Sequence, residues 1–213
     1  MRRPFFYLLI LAAVLHPFIS FGQGAQEYLN SSTEQLKRRD FKGAVESARK
    51  ALKLDPDLVE AWQNLARASF MLGQYEEMSK AAERWVELKP ESPQAWNSFG
   101  VAYHNLRRFR EASDAFRKAL DLQPDDPRIL VNLGEALFRL GQREEGIGKM
   151  RRAVEVRPDF ALGWMSLGRA QYHMAQYESA ISSLRRAIEL NPRLEEARGY
   201  LRRAEARVKG GRP

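Results

Sequence analysis

Residues 61–78 read AWQNLARASFMLGQYEEM, and residues 95–112 read AWNSFGVAYHNLRRFREA. The pattern returns at 129–146 as ILVNLGEALFRLGQREEG and at 163–180 as GWMSLGRAQYHMAQYESA, each start 34 residues after the last. Pro56, Pro90, Pro124, Pro158 and Pro192 keep the same step, closing the segments LKLDP, VELKP, LDLQP, VEVRP and IELNP. Proline has no amide hydrogen and pushes the residue before it out of helical geometry, so each one marks a helix end. Upstream, apolar residues recur at steps of three and four: Phe109, Ala112, Phe116, Ala119, Leu120, and again Tyr177, Ala180, Leu184, Ala187, Ile188. This is one face of a helix, without the alternation of a strand. Trp96, Phe99, Gly100 and Tyr103 define a second helical face in the first half of the unit, and Gly73 and Gly141 suit a tight turn between the halves.

Each unit is therefore a helix, a short turn, a second helix and a proline stop. A pair of helices of this size is too small to hold a core of its own. Stacked pairs bury the faces between neighbours, and each large side chain so buried contributes about 1.5–3 kcal/mol. The units are expected at 25–58, 59–92, 93–126, 127–160 and 161–194, followed by a capping helix at 195–208 and a tail at 209–213.

These columns resemble the tetratricopeptide repeat, which has Trp-x-x-Leu-Gly-x-x-Tyr in its first helix and Ala-x-x-x-Phe-x-x-Ala, then Pro, in its second. The aromatic column reads Trp62, Trp96, Leu130, Trp164; the leucine column Leu65, Phe99, Leu133, Leu167; the small column Ala66, Gly100, Gly134, Gly168. In the second helix the small columns are Ala44, Met78, Ala112, Gly146, Ala180 and Ala51, Trp85, Ala119, Ala153, Ala187. The resemblance covers residues 25–194. It implies an all-α fold, a right-handed superhelix (α-solenoid) of five 34-residue helix-turn-helix repeats with a C-terminal capping helix. Departures are expected at both ends. Ser31, Ser32 and Gln35 give the first helix a polar face where it has one neighbour fewer. Leu194, Ala197, Leu201, Ala204 and Val208 form one stripe of the closing helix, with Arg198, Arg202, Arg203 and Arg207 on the remainder. Met78 and Trp85 replace alanines, so the second unit is expected to pack more bulkily.

The 213-residue chain carries a formal net charge of +8 and no cysteine, which removes disulfides, thiol nucleophiles and thiolate metal sites. Its first segment, MRRPFFYLLILAAVLHPFISFGQG, has two arginines, an apolar run of 11 residues from Phe5 to Leu15, and small residues at Ser20 and Gly22. That is the layout of a secretory signal, with cleavage after Gly22 or Gly24, and 11 residues fall well short of the roughly 20 that span a bilayer. Export to a bacterial periplasm or cell surface is the expectation; the alternative is an inner-membrane anchor that stays uncleaved. Residues 143–213 hold 15 basic and 9 acidic residues, whereas 23–142 hold 18 of each, so the basic excess lies in the C-terminal third.

Catalysis lacks the residues it needs. Beyond the signal only His104 and His173 are present, two units apart, and no nucleophile stands beside a base. The acidic pairs Glu76-Glu77, Asp125-Asp126 and Glu144-Glu145 fall at helix starts, where acids favour the helix dipole. A non-catalytic protein with no cofactor and no metal is expected. In the family that the sequence resembles, first helices line a concave groove that takes a partner's peptide. Carried over, the groove residues are Gln63, Arg67, Phe70 and Met71; Asn97, Val101, His104 and Asn105; Arg128, Val131, Glu135, Phe138 and Arg139; and Leu162, Met165, Arg169, Tyr172 and His173. Their mixture of apolar anchors and cations suits an extended or helical segment of a protein. The carboxylate clamp of some family members is not expected: Asn30, Asn64 and Asn132 fit its column, but Leu29, Thr33, Gln63 and Arg67 replace its accompanying residues. A second reading uses the basic pairs Arg49-Lys50, Arg117-Lys118, Arg151-Arg152 and Arg185-Arg186, which would align as an outer convex ridge, joined by the basic C-terminal helix, for anionic lipid or polysaccharide. Nucleic acid is not an expected partner of an exported chain.

Overall fold

The computed structural model describes residues 22–210. The export segment read at 1–24 lies outside the described residues as far as residue 21, and the tail read at 209–213 lies outside them from residue 211. Among the described residues there are helices and no strands, and no helix is long and apolar enough to cross a membrane. The helices are α1 (22–37), α2 (Phe41–Leu54), α3 (Val59–Met71), α4 (Tyr75–Leu88), α5 (Pro93–Asn105), α6 (Phe109–Leu122), α7 (Pro127–Arg139), α8 (Arg143–Val156), α9 (Ala161–His173), α10 (Tyr177–Leu190) and α11 (Glu195–Gly210). They fall into two compact units, one ending at Pro90 and the other starting at Glu91.

The hairpin turns share one geometry whatever their residues. Arg39, Gly73, Arg107, Gly141 and Ala175 stand in register and all have positive φ, between 58° and 87°. In each turn the following amide reaches back five residues: Asp40 N to Gln35 O, Gln74 N to Ser69 O, Arg108 N to Tyr103 O, Gln142 N to Leu137 O, Gln176 N to Gln171 O. This is the Schellman closure, which satisfies carbonyls left over at a helix end. Glycine adopts the left-handed residue freely; arginine or alanine there costs roughly 1–2 kcal/mol, set against the hydrogen bonds it closes. The helix starts are capped more variably. Asp40, Ser92 and Asp126 accept from amides of the first turn, and Pro93 and Pro127 occupy its opening positions, where no amide hydrogen is needed.

The proline stops have a second use. The indole Nε1 of Trp62 donates to the carbonyl of Pro56 at 2.7 Å, and that of Trp164 to Pro158 at 2.9 Å. The aromatic column thus ties the start of a first helix to the end of the helix before it.

In the first unit α1 buries Ala25, Leu29 and Leu36 together with a hydroxyl. Ser32 is buried, donating to Leu29 O at 2.8 Å and accepting from Asn64 Nδ2 at 2.8 Å. The polar face expected to be solvated at this end is, at Ser32, a hydrogen-bonded contact between first helices. The bulk expected around Met78 and Trp85 is a transposition. Both are buried, but the column between them, which holds Phe116, Met150 and Leu184 in later pairs, holds Ala82 here. Volume has moved along the helix, and close packing is conserved by the exchange.

In the second unit the small column is a set of close approaches. A Cβ on Gly100 would lie 2.6 Å from the Phe116 ring, one on Gly134 2.7 Å from Gly146 O, and one on Gly168 2.6 Å from Leu184 Cγ. Phe116 joins Ile129, Leu133 and Leu137 in one cluster; Met150, Ile147, Val154 and Leu167 form the next; Leu184 meets Ala197 and Ala204 of α11 in the last. The apolar stripe of α11 therefore docks on this unit, with Leu194 and Leu201 against the same cluster.

Candidate functional site

First helices α5, α7 and α9, the second helix α8 and the closing helix α11 bring polar and aromatic side chains together in the second unit. They line a cleft of about 580 Å³ formed by His104, Glu135, Phe138, Arg139, Arg143, Met150, Ser166, Arg169, Ala170, His173 and Tyr200. At its centre Arg169 is held from two sides, by Glu135 Oε1 at 2.5 Å and Glu196 Oε1 at 3.0 Å, and Ser166 Oγ donates to the same Glu135 oxygen at 2.7 Å. Burial alone would weaken the Arg169 charge; the two carboxylates more than restore it, and its pKa is raised. On the rim, His173 Nε2 and Tyr200 Oη are 3.3 Å apart, and Tyr172, Tyr200 and His173 meet edge to face with centroids 5.4–5.6 Å apart.

Both histidines titrate below their ordinary range. Burial is the main cause at His104, with Arg139 and Arg169 acting the same way and Glu135 opposing them. At His173 burial again leads, followed by Arg169, Arg203, Arg139 and Arg143. With Arg169 paired to Glu135 and Glu196, Arg139 and Arg143 leave the cleft lining with more cationic than acidic side chains. The unfolded chain binds these protons more readily than the folded chain. Stability is therefore complete above the ordinary histidine value of 6.5 and falls as pH drops through it. Thermal unfolding between about pH 7.5 and 5.5 should show a falling Tm, and the double substitution His104→Gln, His173→Gln should flatten that slope. Asp125 and Glu111 have depressed carboxyl pKa values and lose their contribution only in more acid solution, so the two effects separate.

Of the groove residues read from sequence, His104, Glu135, Phe138, Arg139, Arg169 and His173 meet in this cleft. Asn97 accepts from Asn132 Nδ2 at 2.9 Å, and Asn105 donates to Val101 O at 2.8 Å within its own helix. Val101, Met165 and Tyr172 pack partly buried against the cores. Leu162 is 49% exposed, and Arg128 is exposed beside Asp126. Val131 corrects the reading. It is 7% exposed, packed with Leu130 and Ala153, and offers no surface to a groove. In the first unit Arg67 is exposed, Phe70 is 41% and Met71 45% exposed, and Gln63 is half-buried. Asn64 spends its amide on Ser32 and Thr33.

Arg143, Met150, Ser166, Ala170 and Tyr200 line the cleft without having been singled out from sequence. The register could have found two of them. Tyr200 stands in the column of Asn132 and Ser166 when the period is carried into α11, and Arg143 stands where Phe41, Tyr75, Phe109 and Tyr177 place aromatics.

The basic pairs are largely neutralised. Arg49 meets Glu77 at 3.1 Å, Arg117 meets Glu145 at 3.2 Å, Arg152 meets Asp125 at 2.9 Å, Arg185 meets Glu205 at 2.8 Å and Arg186 meets Glu189 at 3.1 Å. Such exposed pairs add little stability, about 0–1 kcal/mol each. Among the described residues no cluster of three acidic or histidine side chains could hold a metal ion.

Helical hairpins repeated in one register, closed by one left-handed turn and lined by polar residues of their first helices, define a helical-repeat protein. Sequence profiles described as tetratricopeptide repeat match residues 76–127, 97–155 and 131–193, and a second profile of that description matches 35–98. The chain belongs to the tetratricopeptide repeat family. Solved structures share the fold. MamA from Desulfovibrio magneticus RS-1, residues 41 to the end, aligns with TM-score 0.72 at 21% identity over 82% of this chain and 98% of that one. TTC0263, a thermophilic TPR protein of Thermus thermophilus, aligns with TM-score 0.71 at 19% identity over 85% and 99%. YrrB, described as a TPR protein with an unusual peptide-binding site, aligns with TM-score 0.63 at 20% identity over 80% and 88%. A search of curated protein sequences returned no match.

Proposed function

We propose that the chain is a non-catalytic interaction scaffold that holds a segment of a partner protein against its first-helix faces. The observation that carries this reading is the cleft itself. Six residues read as groove from the sequence register converge there, polar and cationic side chains beside the ring of Phe138. Membership of the tetratricopeptide repeat family supports it, as does likeness in fold to YrrB, which is described as having a peptide-binding site. Recognition by a largely preformed surface needs no cofactor; its affinity is limited by the entropy of ordering the bound segment. The basic N-terminal segment with its apolar run supports export, so the partner is sought in the cell envelope. The alternative, attachment to anionic lipid or polysaccharide through the outer basic pairs, is disfavoured because those arginines already hold carboxylates.

The test is crosslinked capture from envelope extract by the full chain, beside a variant carrying Arg67→Ala, Phe70→Ala, His104→Ala and Arg139→Ala, with crosslinks mapped by mass spectrometry. A partner captured by the parent, lost in the variant and crosslinked to cleft residues is the expected result. Equal capture by both proteins would sink the groove reading.

A further inference from the structure

The geometry points to an acidic protein segment as the occupant of this cleft, its carboxylates held between Arg139 and Arg143. The inference rests on the scaffold reading and goes further by naming the chemistry recognised.

Arg143 is the most informative residue. The opening position of the second helix is aromatic at Phe41, Tyr75, Phe109 and Tyr177, and arginine only here. In neighbouring hairpins that aromatic closes on the ring five residues earlier: Tyr75 on Phe70 at 6.3 Å, Phe109 on His104 at 5.3 Å, Tyr177 on Tyr172 at 5.7 Å. Arg143 fills the same slot, its guanidinium 5.8 Å from the Phe138 centroid. It does the packing work of the missing ring and adds a charge. That charge is misplaced for helix stability, since the N-terminal end of α8 carries the positive end of its dipole. The helix gains nothing electrostatically from a cation at this position; an incoming carboxylate does.

Arg139, the last residue of α7, lies across the turn from Arg143, its guanidinium 5.8 Å from the Phe109 centroid. Neither arginine has a carboxylate partner among the described residues, whereas Arg169 beside them is held by both Glu135 and Glu196. Three arginines therefore line the cleft with a single glutamate, and that glutamate is already engaged. Each guanidinium lies over an aromatic ring with its N–H donors unengaged among the described residues, available to grip a carboxylate through two parallel hydrogen bonds. The lowered titration of His173, led by burial and then by Arg169 and Arg203, includes a smaller contribution from Arg139 and Arg143. Phe138, half-buried, supplies apolar surface beside the cations, so the fitting ligand is a stretch of polypeptide with an apolar side chain next to its acids, in preference to a bare anion.

The experiment is display selection of random 12-residue peptides on the full 213-residue chain in mild detergent, followed by affinity measurements on the peptides recovered. Asp and Glu should be enriched about threefold over the library, and binding should weaken with added salt. The double substitution Arg139→Gln, Arg143→Gln should weaken binding at least about tenfold, while the equally charge-depleted Arg151→Gln, Arg202→Gln protein should stay within about twofold. Arg143→Tyr alone should restore the aromatic column, keep or raise Tm, and still lose affinity; a merely structural arginine would give the reverse. Recovered peptides with no acidic bias, or acidic peptides held equally by the double variant, would overturn the inference and leave the scaffold reading standing. Recovery of no peptide at all would overturn both. Displacement by inorganic phosphate at equal concentration would show a general anion site and also overturn it.

Discussion

Phe116→Ala should destabilise the second unit by about 3–5 kcal/mol, a large part of the roughly 5–15 kcal/mol that holds a typical domain folded. Among the described residues Phe116 is the largest fully buried side chain, 1% exposed. Its ring fills the gap opposite Gly100 and touches a cluster that includes Ile129, Leu133 and Leu137 of α7, so one side chain joins its own hairpin to the next. Truncation removes contacts on both sides, and the glycine opposite has no side chain with which to fill the void. Urea unfolding followed by tryptophan fluorescence would measure the loss. A cost below about 1 kcal/mol would mean that the helices collapse into the cavity, contrary to the packing described.

The second large effect is expected from one added side chain. Gly134→Val would place a Cβ 2.7 Å from the carbonyl oxygen of Gly146 and 2.8 Å from Met150 Cγ. The first of these is backbone, which cannot rotate aside, so α7 and α8 must separate. A cost of about 3 kcal/mol is expected, lowering Tm by roughly 6–12 °C for a chain of this size. Gly148, exposed on the same α8 with nothing near its missing side chain, is the control. There Gly148→Ala should raise stability by about 0.5–1 kcal/mol through helix propensity alone. If Gly134→Val were tolerated as easily as Gly148→Ala, the close crossing of α7 and α8 would be wrong.

The period was legible because its markers are residues with few conformational alternatives. Proline marks a helix boundary, a stop at Pro56 and Pro158 and a start at Pro93 and Pro127, and a small residue repeated on one helical face signals a close neighbour. Aromatics such as Trp62 and Trp164 were legible as a column, but not as donors to the Pro56 and Pro158 carbonyls, because those partners are backbone atoms and carry no sequence signal. Val131 was misread because first-helix residues flanking the core stripe sit near its edge, where a small change in packing turns surface into interior. Ser32 was misread for a similar reason: burial of a hydroxyl depends on which acceptors its neighbours bring, and Asn64 lies a whole unit away in sequence. The cleft was half legible. The register finds the first-helix side and misses Arg143 and Tyr200, because the second-helix openings read as packing and the closing helix as packing with a basic outer face, away from any groove.

The shared turn has a consequence for how such a chain can change. Arg39, Gly73, Arg107, Gly141 and Ala175 show that the left-handed position accepts very different side chains, while the hydrogen bond spanning it fixes how many residues the turn contains. Composition is negotiable there and length is not. An inserted residue would rotate everything after it by about 100° around the second helix, taking the small columns out of the crossing. The repertoire of viable length changes is thereby quantised: whole periods can be copied or excised with their joints intact, and fractions of one cannot.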